Sequence, residues 1–210
     1  MVGECLSRFM LVGIIPGGVP KMKQVLAVFA LVASMLLCSS LLAAAQPAPS
    51  PSPAPAVTKD PVTAAVRMLL PRSQKNILAA IEAMPADKFS FKPSADQMSF
   101  GHLVVHIIES NNSICAKAAA IAEPKVDEVK DSDPKDKLAA AARASFDFCG
   151  EAVAKMDDSK LGDSVELFGG HSFPRAMAVL AMASGWADHY GAAAFYLRLN
   201  GILPPTAQKK

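Results

Sequence analysis

Residues 59–206 of this 210-residue chain predict an all-α domain, a bundle of four helices. Three observations point there. Apolar residues recur three and four apart throughout the stretch, the spacing of a helix face. No run alternates apolar and polar residues as a half-buried strand would. Prolines, glycines and capping residues divide the stretch into four lengths suited to helices. Helices joined by short to moderate connections bury their apolar stripes against one another, and a bundle is the natural solution.

The first predicted helix covers about 61–84. Ile77, Leu78, Ile81 and Met84 form its clearest apolar face, Pro71 is expected to kink or restart it, and Pro85 stops it. Residues 88–93 read as an extended connector whose Phe89 and Phe91 dock on the bundle. The second helix starts near Ser99, a good N-cap, and its inner stripe is Leu103, Ile107, Ile114, Ala118 and Ile121. After a polar loop, Ser132, Asp133 and Pro134 announce the third helix, with Leu138, Ala142, Phe146, Cys149, Val153 and Met156 facing inward. Gly169, Gly170 and Pro174 lead into the fourth, which carries Met177, Leu180, Trp186, His189, Phe195 and Leu199 and ends at Asn200 and Gly201.

The chain ahead of the domain has a different character. Lys21 and Lys23 precede an apolar run over 25–42, and Ala43, Ala44 and Ala45 follow before Gln46. A basic start, an apolar middle and a small-residue exit make a secretory signal, cleaved near Ala45. Met22 begins a signal of ordinary length over 22–45, which leaves residues 1–21 as a wrongly assigned extension. One rival reading is an uncleaved membrane anchor over 25–42, a run barely long enough to span a bilayer and interrupted by Ser34, Ser39 and Ser40. Another is lipidation of Cys38, which Leu36 and Leu37 disfavour because neither is the small residue a lipoprotein signal requires there. Residues 46–58, rich in Pro, Ala and Ser, form a semi-rigid spacer, and residues 207–210 a short tail. The expected location is periplasmic or secreted, with membrane contact only through the signal segment.

Charge excludes one class of partner. The full chain holds 21 basic and 19 acidic residues, and losing Arg8, Lys21, Lys23 and Glu4 with the leader leaves 18 of each. A neutral domain offers no electrostatic footprint for nucleic acid. Two cysteines remain in the domain, Cys115 and Cys149. Export permits a disulfide. Counted outward from the middle of the intervening loop they sit at unequal distances, so two small buried apolar residues are favoured over a bridge.

His102 and His106 lie four apart, on one face of the second helix, and His106 is read as part of the inner stripe beside Leu103 and Ile107. His189 sits on the fourth helix. Neutral imidazoles suit zinc, nickel or iron, and bundle cores can hold ligands projected from facing helices. His171 follows two glycines and reads as a solvated loop residue. There is no Gly-rich phosphate loop and no nucleophile–base motif.

Four segments carry a family resemblance: Phe89-Ser90-Phe91-Lys92-Pro93, Asp96-Gln97-Met98-Ser99-Phe100, Leu103-Val104-Val105-His106-Ile107, and His189-Tyr190-Gly191 followed by Tyr196-Leu197-Arg198-Leu199-Asn200-Gly201-Ile202-Leu203-Pro204-Pro205. Their order and spacing over about 60–205 resemble the DinB/YfiT-like proteins. The resemblance implies an up-down-down-up four-helix bundle. It also implies a divalent-metal site built from one histidine of the second helix and a His-x-x-x-His pair on the fourth. His106 matches the first ligand and His189 the last, but Gly185 stands where the remaining histidine belongs. Glycine has no side chain to ligate.

Three outcomes are therefore expected of the site. It is dead, or His102 supplies the third ligand, or Asp188 does, although Asp188 lies about 100° around the helix from His189. Trp186, next to Gly185, is placed to fill the emptied space. The favoured expectation is an exported bundle with a degenerate divalent-metal site, serving as a binding or non-catalytic module for a small molecule. The alternative is a metal-dependent enzyme resembling the family's thiol S-transferases, maleylpyruvate isomerases or hydrolases, using His106, His189 and His102. A homodimer is a further expectation.

Overall fold

A computed structural model of the protein describes residues 59–208; the leader, the proposed cleavage site and the spacer lie outside the described residues. Helix α1 spans Pro61–Ala83, with Pro61 in the first turn where a missing N–H costs nothing. Its free N–H groups are satisfied from far along the chain. The Asp158 carboxylate accepts from Val62 N–H at 2.8 Å and Thr63 N–H at 2.9 Å, and Asp158 N–H donates back to Asp60 Oδ1 at 3.2 Å. α1 runs through Pro71 without a break, so Pro71 does not restart it. Proline deprives the Arg67 carbonyl of its donor, yet the Arg67 side chain ties the same turn to the Val153 and Met156 carbonyls at the end of α3, Lys135–Ala154.

The connector docks as expected but does not start extended: Ala86–Lys88 form a short 3-10 turn and Phe89 keeps helical backbone angles. Phe89 is buried edge-on to Phe100, ring centroids 5.2 Å apart, and Phe91 packs edge-on to Tyr196. The Phe91 and Phe89 carbonyls also accept the N–H groups of Phe100 and Gly101, at the start of α2, Phe100–Ala119. Ser99 caps that helix, its Oγ accepting from His102 N–H at 3.0 Å. Gly101 is required here, because a methyl group would overlap the Asp131 carbonyl oxygen. The predicted stripe of α3 is buried at all six positions, from Leu138 to Met156.

A β-hairpin follows α3 and corrects the expectation of no strand after residue 58. Strand β1, Ser164–Leu167, pairs antiparallel with β2, His171–Pro174, in the register Leu167↔His171. Phe168, Gly169 and Gly170 turn the corner with positive φ. Four-residue strands are too short to show alternation in sequence, and the two glycines that looked like a helix lead-in are the turn itself. Helix α4, Arg175–Leu199, begins as β2 ends; Arg175 and Ala176 N–H groups donate to the Asp163 and Leu161 carbonyls.

Paired contacts define how the helices run. Along α1 and α3 the partners cross in opposite order: Arg67 with Val153, Gln74 with Asp147, Glu82 with Lys135. Along α2 and α3 they advance together, Asn111 with Ser145 and Cys115 with Cys149, so these two helices are parallel. Along α2 and α4 they again oppose, Asn111 with Trp186 and Cys115 with Met182. One continuous apolar cluster fills the space between all four helices.

Candidate functional site

His106 and His189 meet on the surface between α2 and α4. Their rings lie edge to face, centroids 5.1 Å apart and planes at 85°. His106 is not on the inner stripe as expected; it is exposed. The reason is that α2 buries Val104, Val105 and Ile108 as well as Leu103 and Ile107, so the core face is wide and the strip through His102, His106 and Glu109 is turned outward. His189 is half-buried, and its Nδ1 is shut off from solvent with no protein hydrogen-bond partner. Both histidines line an open groove of about 420 Å³ together with Glu109, Ser110, Phe168 and Gly185.

Burial above all, with the neighbouring His106 adding to it and Asp188 opposing, brings the His189 imidazole down from 6.5 to about 4. His189 is thus a neutral imidazole at ordinary pH, the form that ligates or hydrogen-bonds.

The remaining expected ligands lie elsewhere. His102 Nδ1 is 4.0 Å from Asp131 Oδ2, on the loop between α2 and α3, and both side chains are largely exposed. Asp188 is exposed. His171, never a ligand candidate, is exposed as expected but begins β2 rather than lying in a loop. Among the described residues no three His, Cys, Asp or Glu side chains gather as a metal-holding group. A catalytic zinc centre normally takes three protein ligands. The donor set present, two imidazoles with one unpartnered nitrogen, fits part of such a centre and not the whole. The missing part is local: a Cβ built on Gly185 meets only His189 Cε1, at 3.8 Å, so a side chain has room there.

One turn deeper the same two helices build a saturated layer. Cys115 and Cys149 are joined in a disulfide, Cα atoms 5.3 Å apart, which corrects the expectation of two separate thiols. Counting outward from the loop assumes a hairpin. These helices run parallel, and the cysteines match because each lies at nearly the same depth, 15 residues past Phe100 and 14 past Lys135. Asn111 sits beside the bridge. Its Oδ1 accepts from Trp186 Nε1 at 3.0 Å, and its Nδ2 donates to Ser145 Oγ at 3.0 Å. Trp186 is buried, tilted against Phe146, and only about 20 Å³ stays open between Asn111, Gly185, Trp186 and His189.

Asn111 and Ser145 were not singled out from sequence, nor were Glu109 and Ser110. A signal did exist for the first: two adjacent asparagines in the middle of an apolar helix, where Asn is a poor helix former, mark buried polar partners.

No match is found among curated proteins. The fold is similar to the crystal structure of a DinB-like protein from Bacillus cereus ATCC 10987, with TM-score 0.55, 14% identity, and 67% of this chain and 93% of that one covered. It is similar to that of a DinB-like protein from Bacillus subtilis, with TM-score 0.55, 19% identity, and 70% and 99% covered. The description of the DinB superfamily matches residues 69–192, which include His106, Gly185 and His189. The chain belongs to the DinB superfamily.

Proposed function

We propose that this protein is an exported binding module on an up-down-down-up bundle, carrying a degenerate divalent-metal site. The observation that supports it best is the pairing of His106 with His189 beside the vacant position at Gly185. The helix directions given by the Asn111–Ser145, Gln74–Asp147 and Asn111–Trp186 contacts support the topology. A buried disulfide supports an oxidising compartment and so the leader reading. Two imidazoles alone hold zinc, nickel or iron weakly, and the groove next to them is the place for a small molecule. Met177, Leu180, Phe195 and Leu199, exposed on α4, support a second copy as a partner.

The unpartnered His189 Nδ1 favours the second reading, a metal-dependent enzyme that keeps His106 and His189 and recruits His102. In that reading the metal supplies a Lewis acid, while Ser110 and Glu109 line the groove where substrate is held. Elemental analysis of the purified protein separates the two. Substoichiometric metal that falls further in His106→Ala is expected; one tightly held ion per chain that disappears in His106→Ala overturns the degenerate-site reading.

A further inference from the structure

A second cavity lies away from the histidines, between α2, α3 and the connection over 120–134. Its volume is about 310 Å³. Ile108, Val129 and Phe148 are among the apolar side chains that make most of its wall. The size sits at the small end of ligand cavities, roughly 300–1,000 Å³, and suits a single ring or a short chain.

Asn112 is the polar residue that matters. It lines this cavity from the middle of α2 and is nine-tenths buried, and its Oδ1 has no protein hydrogen-bond partner. Buried amides are normally paired, and an unpaired one is an uncompensated cost. The neighbouring polar groups do not relieve it. Ser145 Oγ is already committed to Asn111 Nδ2 and the Ala142 carbonyl. Lys137 is held by Asp133 at 2.8 Å. Lys137 and Asp127, of opposite sign, both line the cavity, so neither an anion nor a cation is favoured.

We propose that this cavity binds a small neutral molecule with an apolar body and one hydroxyl or amide, which pairs with the Asn112 side chain. The site uses none of the histidines and stands whether or not the groove between α2 and α4 holds a metal.

The test is a titration of the full chain with p-cresol and with toluene, followed by amide chemical shifts. Saturable shifts at Ile108, Asn112, Val129 and Phe148 are expected, with p-cresol bound about tenfold more tightly than toluene. Asn112→Leu keeps the volume and should erase that preference. Ala144→Phe carries a ring into the cavity from an exposed position and should abolish binding of both probes, which keeps the proposal testable if Asn112→Leu fails to fold. No saturable shift, shifts centred on His106 and His189 instead, equal binding of the two probes, or a preference that survives Asn112→Leu would each overturn it.

Discussion

Two layers built from the same pair of helices, one turn apart, differ in how completely they are satisfied. The inner layer joins Asn111 and Cys115 of α2 to Trp186 and Met182 of α4 and to Ser145 and Cys149 of α3. Its central amide is hydrogen-bonded at both ends, and its sulfurs are bridged. The outer layer pairs His106 with His189 and leaves one imidazole nitrogen buried and unpartnered. Buried polar groups are normally satisfied, so saturation marks the layer that holds the bundle together and incompleteness marks the layer that has a ligand to meet or has lost one.

Breaking the inner layer should have the largest effect. The bridge spans a sequence separation of 34, for which loop entropy predicts about 4 kcal/mol of stabilisation. The double substitution Cys115→Ala with Cys149→Ala is expected to lower the unfolding free energy by about that amount in denaturant titrations. The parent protein should lose the same amount when reduced.

Completing the outer layer comes next. Gly185 is one helical turn before His189 on the same face, and its surroundings leave room for a side chain. Gly185→His is expected to tighten zinc binding about a hundredfold, or about 2.7 kcal/mol, measured by competition with a chromogenic chelator. Unchanged affinity would show that the two histidines are not the remnant of a metal centre.

The smallest effect is a pH dependence confined to the outer layer. The His189 imidazole is near 4 in the folded state against 6.5 ordinarily. Above 6.5 both folded and unfolded chains hold it neutral, and its contribution is complete. Between 6.5 and 4 the unfolded chain binds a proton that the folded chain refuses, so stability falls; below 4 no more is lost. Solvent on the groove side screens part of the effect, leaving on the order of 2 kcal/mol. Urea midpoints at neutral and acid pH should therefore diverge less in His189→Gln than in the parent chain.

Much of this protein was legible because its signals are local. The spacing of Ile77, Leu78, Ile81 and Met84, the six-residue stripe of α3, the Ser99 cap and the stop at Gly201 each depend on residues within a turn or two of one another. The pairing of His106 with His189 and the vacancy at Gly185 were legible too, through four motifs that resemble one family. Tertiary structure alone decided which faces meet. Arg67, one turn before Pro71, reaches across to α3, and Asp158 caps α1 from 95 residues away. The hairpin exists because β1 finds β2 across a two-glycine turn. His102 faces Asp131 because the loop carrying that aspartate lies against the start of α2. Cys115 reaches Cys149 because α2 and α3 run in the same direction. Periodicity states that a helix has an inner face, but it carries no information about the direction or register of the helix opposite, and those set every one of these contacts.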